Sequence, residues 1–248
     1  MKRNIFFAAL LICFGAQSHA LDLAALSDDD RAAFRDEVRS YLLENPEVIL
    51  EAMEILKGRE AEAGLQTDLL LVQNNAEALF SNASDWVGGN PDGDITLVEF
   101  MDYRCSYCRK AHAEIAELIK SDGNIRFVLK EYPILGEESD LASRFAIAAL
   151  QIGGDSAYIA AHDALMTLRA DVTADSLQKL AADLGFDAAA ISARMQTDAV
   201  SAVIAANRAL GEAMNVNGTP TFIVDQTMLR GYVPLDGMRQ IVADERKG

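Results

Sequence analysis

The chain has 248 residues, of which 50% are hydrophobic and 24% are charged, and its formal net charge is −16. This composition is that of a globular protein with enough apolar residues to form a core. The negative charge argues against nucleic acid and anionic membranes as partners, because both repel an acidic surface.

The first 20 residues have the three parts of a secretory signal peptide. Lys2 and Arg3 form a positive start, residues 5–14 are apolar, and residues 18–20 (Ser-His-Ala) are a small-x-small cleavage site. Cleavage there would release a mature chain that starts at Leu21. We therefore predict export to the periplasm, an oxidising compartment in which disulfides persist.

Two other interpretations of this leader are weaker. A membrane anchor is disfavoured because the apolar run is too short to span a bilayer. A lipoprotein would use Cys13, but Ile12 is bulkier than the residue that usually precedes a lipidated cysteine.

Cleavage of the signal peptide would take the formal charge from −16 to −18, because two cations are lost. It would also leave Cys105 and Cys108 as the two cysteines of the mature chain.

Residues 21–85 carry helix signals and no strand signals, which predicts an N-terminal helical extension. Apolar residues at helical spacing form one stripe before Asn45-Pro46 and another after it: Phe34, Val38, Tyr41 and Leu42, then Ile49, Met53 and Leu56. Stripes of this kind have to be buried, either against the chain's own body or against copies of the chain. The residues alone leave both options open.

Residues 86–248 alternate between strand and helix signals. After a turn-rich boundary segment at 82–94, the apolar run ITLVEFMDY predicts a buried strand that leads into a helix, and IRFVLKEYPI predicts a second strand. Residues 137–212 are alanine-rich and helical, and the chain ends with two strands and a helix. The order predicts an α/β domain with an all-helical insertion.

Cys105 and Cys108 are separated by two residues, which admits three interpretations. A structural staple is disfavoured, because so small a loop constrains little. A metal site needs more ligands; His112 could supply one, although it and His162 are better explained as ordinary helix residues. A redox pair explains the position as well, because a helix N-terminus stabilises the thiolate of Cys105 and places Cys108 one turn further in.

Two further features accompany the pair. Glu99 lies six residues before Cys105, inside the apolar run LVEFM. A buried carboxylate there would have a raised pKa and would be suited to exchange protons with Cys108, whereas a residue on an edge strand would simply face solvent. The segment NGTPT places Pro220 before a strand, as a turn residue or as a cis-proline.

Together these residues resemble DsbA-type thiol:disulfide oxidoreductases of the thioredoxin fold, from Trp86 to the C-terminus. The resemblance implies a redox-active disulfide in which Cys105 attacks and Cys108 resolves. It also implies that Glu99 is the buried acid of the site. Thr219-Pro220 matches the cis-proline loop, which faces the disulfide and binds an extended substrate.

The same resemblance extends to the neighbouring residues. Ser106 and Tyr107, between the cysteines, are expected to contact substrate, and Lys130 is expected to lie near Glu99. Strong oxidases of the family usually carry Pro-His between the cysteines. The Ser-Tyr pair therefore leaves the oxidising strength of this site open.

The segment VRSYLLENPEVILEAMEIL is similar to the leader of ScsC-type proteins (suppressor of copper sensitivity), in which such helices assemble trimers with isomerase activity. We therefore expect a periplasmic isomerase or oxidase of protein disulfides that needs no cofactor. Its partners would be protein thiols, a membrane redox protein that recycles the cysteines, and copies of itself, as in a homotrimer. A copper(I)-handling protein that uses Cys105, Cys108 and His112 is the alternative, and a chaperone-like oligomer is a third.

Overall fold

The computed structural model describes residues 27–247, so the predicted signal peptide lies outside the described residues. The chain divides after Arg59 into two compact units. Between residues 27 and 247, no helix is both long and apolar enough to cross a bilayer.

The helices are α1 (Asp28–Glu44), α2 (Glu47–Asn74), α3 (Ala76–Phe80), α4 (Ser106–Asp122), α5 (Glu137–Thr167), α6 (Ala174–Asp183), α7 (Ala188–Met195), α8 (Asp198–Ala213) and α9 (Leu235–Glu245). The strands are β1 (Trp86–Gly89), β2 (Ile95–Met101), β3 (Ile125–Glu131), β4 (Thr221–Val224) and β5 (Thr227–Arg230).

The first unit contains α1 and the beginning of α2. Ser27 caps α1, because its Oγ accepts a hydrogen bond from the N–H of Asp30 at 3.2 Å. Pro46 precedes α2, where its fixed φ angle suits a helix start. The predicted apolar stripes lie on these helices, and α1 has no buried residue.

A five-stranded mixed sheet forms the centre of the second unit, with the strand order β1-β3-β2-β4-β5. Strands β2 and β3 are parallel and are joined through α4, while the other three pairings are antiparallel. The units β2-α4-β3 and β4-β5-α9 share this sheet, which is the thioredoxin arrangement that the resemblance implies. The predicted fold class, with its helical insertion and N-terminal helices, is confirmed.

Side chains of the central strand β2 alternate between two apolar cores. Leu97 and Met101 lie in the larger core, together with residues of α4 and α5. Val98 and Phe100 lie in a second core, together with residues of α2 and α3. Glu99 therefore projects toward the face that α4 covers.

Lys130 lies on the opposite face of the sheet, which corrects the expectation that it neighbours Glu99. The strand register pairs Glu99 with Leu129, so the next residue along β3 points the other way. The buried amine of Lys130 pairs with the buried carboxylate of Asp85 and donates a hydrogen bond to the carbonyl oxygen of Ala78 at 2.5 Å. The lysine thus ties the segment before β1 to the sheet.

Helices α5 to α8 form the insertion. Helix α5 contains a kink at Gly154, where φ is 70° and ψ is −163°. Glycine adopts this conformation readily because it has no Cβ atom. The part of α5 after the kink carries His162 and Asp163, and it passes α4 closely enough for Asp163 to lie 3.3 Å from Nε2 of His112.

Strand β1 was not predicted, since its sequence lies in the turn-rich boundary segment. Trp86–Gly89 pairs antiparallel with β3. Its two glycines have little strand preference. At Gly89 a Cβ atom would lie 2.3 Å from the carbonyl oxygen of Ile125, and φ is +69°, so glycine is needed there. The neighbouring strand, rather than local preference, determines this element.

Candidate active site

Cys105 is the N-cap residue of α4. Its backbone is extended, with φ −74° and ψ 118°, and Ser106 is the first helical residue. The sulfur therefore faces the N–H groups of the first turn, which have no partner within the helix. Only 8% of Cys105 is exposed, so the thiol is reached from one side.

The site favours the thiolate form of Cys105. Its pKa falls from 9.0 to about 5. The largest cause is a hydrogen bond with the thiol of Cys108, and the Thr219 side chain and the backbone N–H groups of Cys108 and Tyr107 add to it. Burial acts in the opposite direction. Cys105 is therefore a thiolate at neutral pH.

Cys108 has the opposite character. It is fully buried one turn into α4, and both cysteines are free thiols in the structure. Its pKa lies well above 9.0, because its thiol hydrogen-bonds Cys105, because it is buried, and because Glu99 contributes negative charge. Cys108 can act as a nucleophile only after a base removes its proton.

Glu99 is a candidate for that base. It is 3% exposed on a central strand, so the solvent-facing interpretation is wrong. Burial, and then the charge of Cys105, raise its pKa from 4.5 to about 8. Its Oε1 has no hydrogen-bond partner among the described residues, and the side chain lines a cavity of about 290 Å³ beside α4. A carboxyl group with a pKa near neutrality is suited to accept a proton from a thiol.

Asp102 holds the turn between β2 and α4, a role that was not predicted from the sequence. Its buried carboxylate accepts hydrogen bonds from the N–H groups of Arg104, Ile134 and Leu135 at 2.7, 2.9 and 3.1 Å. It also accepts one from the hydroxyl of Ser139 at 2.8 Å. The position of Asp102 directly after a predicted buried strand is the one sequence feature that could have marked it as important.

The loop before β4 closes the site from the other side. The Thr219–Pro220 peptide bond is cis. In the thiol form, Sγ of Cys105 donates a hydrogen bond to the carbonyl oxygen of Thr219, at 3.1 Å. Residues far apart in the sequence are thus in direct contact, as the resemblance implies for this loop.

The two residues between the cysteines are exposed. Tyr107 is 58% exposed, and its ring stacks on that of Tyr232 with the centroids 6.1 Å apart. The amine of Lys110 lies 4.2 Å from the centroid of the Tyr232 ring. Tyr107 and Tyr232 thus form an exposed aromatic pair beside the cysteines.

A second buried carboxylate, Glu131, was also missed. Its Oε1 accepts hydrogen bonds from the hydroxyls of Tyr103 and Tyr158 at 2.8 and 2.7 Å, and burial raises its pKa to about 7. The Tyr103 oxygen is also 3.1 Å from Nδ1 of His162, whose ring lies 5.1 Å from that of His112. Glu131 is the last residue of β3, and a carboxylate at the end of a largely apolar strand could have identified it.

Comparisons with known proteins agree with this geometry. A family model described as thioredoxin matches residues 81–244, which is more than half of the chain. The chain belongs to the thioredoxin family. A second model, the N-terminal domain of the copper resistance protein ScsC, matches residues 30–63. The protein is therefore a DsbA-family, ScsC-like member of the thioredoxin family.

Two solved structures are similar to most of the chain. A thioredoxin-like oxidoreductase from Silicibacter pomeroyi DSS-3 is 39% identical, with a TM-score of 0.65, over 69% of this chain and 98% of that one. BcfH of Salmonella enterica Typhimurium is 27% identical, with a TM-score of 0.72, over 89% of this chain and 97% of that one.

Two curated relatives are similar over about two thirds of the chain. The Na(+)/H(+) antiporter NhaA 1 of Salinispora arenicola is 27% identical over 66% of this chain, and the chain spans only 25% of that antiporter's length. Disulfide bond formation protein D of Bacillus subtilis is 24% identical over 64% of this chain and 76% of its own length.

The hydrogen bond from Cys108 predicts how the pKa of Cys105 responds to substitution in this ScsC-like protein. The alkylation rate of the reduced protein should rise with a midpoint near pH 5, since Cys108 is buried and does not react. Cys108→Ala should move the midpoint upward, because the donor is lost. Cys108→Ser keeps a donor and is the matched control, with a smaller shift. Identical midpoints in all three proteins would contradict this account of the thiolate.

Glu99 should make the ScsC-like fold less stable as the pH rises. Its folded pKa of about 8 exceeds its ordinary value of 4.5, so between these values the folded state holds a proton that the unfolded state releases. The contribution of Glu99 to the free energy of unfolding should therefore fall across this range, by an amount on the order of a few kcal/mol. Denaturant titrations of Glu99→Gln should lack this loss, so the variant should be more stable than wild type at pH 8. The exposed control Glu117→Gln should follow wild type, and a parallel curve for Glu99→Gln would refute the argument.

Proposed function

We propose that this protein is exported to the periplasm and catalyses thiol:disulfide exchange in protein substrates through Cys105 and Cys108. One observation carries the proposal: the N-cap of α4 holds a thiol of lowered pKa, Cys105, and one turn further in lies a buried thiol of raised pKa, Cys108. Membership of the thioredoxin family supports it. So do the names of the Silicibacter oxidoreductase and of the Bacillus disulfide bond formation protein.

The reaction proceeds by two successive exchanges. The Cys105 thiolate attacks one sulfur of a substrate disulfide, so a mixed disulfide forms and a substrate thiolate leaves and takes up a proton. Cys108 then gives its proton to Glu99 and attacks the sulfur of Cys105. This step forms the Cys105–Cys108 disulfide and releases the second substrate thiol. Two electrons have passed from the cysteine pair to the substrate.

The reverse sequence would donate a disulfide, and isomerisation would stop at the mixed disulfide until another substrate thiol displaces Cys105. In each case the redox equivalents reside in the two cysteines, so the proposed chemistry needs no cofactor. Net oxidation or reduction of substrates requires that the pair be recycled. We assign that step to a membrane redox partner, as in related DsbA-type systems.

The N-terminal helices are proposed to join copies of the chain, with a homotrimer as the expected assembly. Seven apolar side chains of the two predicted stripes lie on α1 and α2, and most of them are more than 40% exposed: Phe34, Val38, Tyr41, Ile49, Met53 and Leu56. Exposed apolar surface of this extent is typical of an interaction site. The match of residues 30–63 to the ScsC N-terminal domain supports the same role.

Copper(I) handling by Cys105, Cys108 and His112 is the alternative function. The imidazole of His112 contacts Asp163 and His162, whereas the thiol of Cys108 hydrogen-bonds Cys105. These contacts favour thiol exchange over a three-ligand copper site.

Removal of the resolving thiol tests the proposed reaction. Cys108→Ala should accumulate mixed disulfides with exported proteins, because Cys105 can attack but no second thiol resolves the product. The adducts should be visible on non-reducing gels and should vanish on reduction. The double variant Cys105→Ala/Cys108→Ala is the control and should form none. If the single variant forms no adduct in cells that export it, the proposed mechanism fails.

The role of the helices is tested by two charged substitutions on exposed positions. Val38→Glu with Met53→Glu should convert an oligomer into a monomer, because carboxylates do not tolerate an apolar interface. The variant should still oxidise a dithiol peptide but should lose reactivation of a scrambled-disulfide protein. Ile152→Glu, at a position that is 47% exposed on α5, is the matched control and should behave like wild type. A monomeric wild type in sedimentation experiments, or full reactivation by the double variant, would contradict this role.

A further inference from the structure

Three side chains that the proposed exchange reaction does not use lie together beside α4. They are His112 on α4 and His162 and Asp163 on α5, and one ligand atom from each lies within 4.8 Å of the others. Oδ1 of Asp163 is 3.3 Å from Nε2 of His112. Two imidazoles and a carboxylate form a donor set that suits divalent transition metals.

The orientation of His162 is set by a hydrogen-bonded chain. The hydroxyl of Tyr103 donates to Oε1 of Glu131 at 2.8 Å, so its proton is used there. The tautomer of His162 that satisfies both contacts carries its proton on Nδ1, which lies 3.1 Å from the same Tyr103 oxygen. Nε2 of His162 is left as a free acceptor. Metal-binding histidines are commonly fixed in this way by a hydrogen bond at the other ring nitrogen.

All three side chains line the cavity of about 290 Å³ that also contains Glu99. Glu99 is 3% exposed, and its Oε1 has no partner among the described residues. A metal held by three protein ligands keeps a position for a water molecule. An unpartnered carboxylate oxygen in the same cavity is a suitable acceptor for a hydrogen bond from such a water.

We propose that His112, His162 and Asp163 bind a divalent transition metal ion, with Zn²⁺ as the representative ion, in the cavity between α4 and α5. This site is separate from the cysteines and does not depend on the proposed exchange reaction. It would link the active-site helix to the helical insertion, because its ligands come from both elements. Binding to the folded state alone would then stabilise the protein.

The test removes the cysteines as competing ligands. The untagged chain from Leu21 is prepared with Cys105→Ser and Cys108→Ser, and Zn²⁺ binding is measured by calorimetry. We expect one bound ion per chain and a higher melting temperature when Zn²⁺ is added. Co²⁺ in the same protein should show the visible absorption of nitrogen and oxygen ligands without a thiolate charge-transfer band.

Two ligand substitutions then test the assignment in this cysteine-free background. His112 is partly exposed and Asp163 is exposed, so the fold should tolerate His112→Gln and Asp163→Asn. Each substitution should weaken Zn²⁺ binding by at least about tenfold. Asp183→Asn is the matched control, because the side chains of Asp183 and Asp163 are 58% and 59% exposed. It should bind like the parent protein. The assignment would be overturned if the parent protein did not bind Zn²⁺, or if either ligand variant bound it with unchanged affinity. Neither result would bear on the exchange activity of the cysteine-containing chain.

Discussion

The turn between β2 and α4 is the constraint on which the candidate site depends. Asp102 is buried in this turn and accepts four hydrogen bonds, three of them from the backbone of its own turn and of the segment after β3. A buried carboxylate without such donors would be strongly destabilising, so these contacts restrict the turn to one geometry. That geometry fixes where α4 begins and therefore where its N-cap residue, Cys105, lies. Cys105 therefore owes its position to a residue that takes no part in the proposed exchange.

The interaction between the two thiols is the largest cause of their opposite properties. The thiol of Cys108 stabilises the thiolate of Cys105, which lowers one pKa and raises the other. Glu99 responds to the same charge, because the thiolate of Cys105 adds to the effect of burial on its carboxyl group. The three groups are coupled, and a proton lost by one changes the affinity of the others for theirs. This coupling suits a site in which attack by Cys105 must precede deprotonation of Cys108.

The helical insertion is part of this site and not only a cover for the sheet. Helix α5 supplies Tyr158 and His162 to the hydrogen-bonded group around Glu131, and it supplies Asp163 to the cavity beside Glu99. Two buried carboxylates thus lie on the face of the sheet that α4 and α5 cover. Both have raised pKa values, since little solvent or positive charge reaches them. The insertion thereby defines the environment in which the proposed proton transfer occurs.

Features that depend on near neighbours in the chain could be predicted from the amino-acid sequence. Helical periodicity predicted α1, α2 and the insertion, and the cysteine spacing after an apolar strand predicted a redox pair at a helix start. The apolar run around Glu99 favoured its burial over the solvent-facing alternative. Packing between distant segments, which the sequence does not reveal, makes β1 a strand, turns Lys130 away from Glu99 and lets Asp102 anchor the turn. It also decided that Tyr103 contacts Glu131 and His162, which are 28 and 59 residues away. Such contacts bring together residues from separate elements, and local patterns carry no information about which distant residues meet when the chain packs.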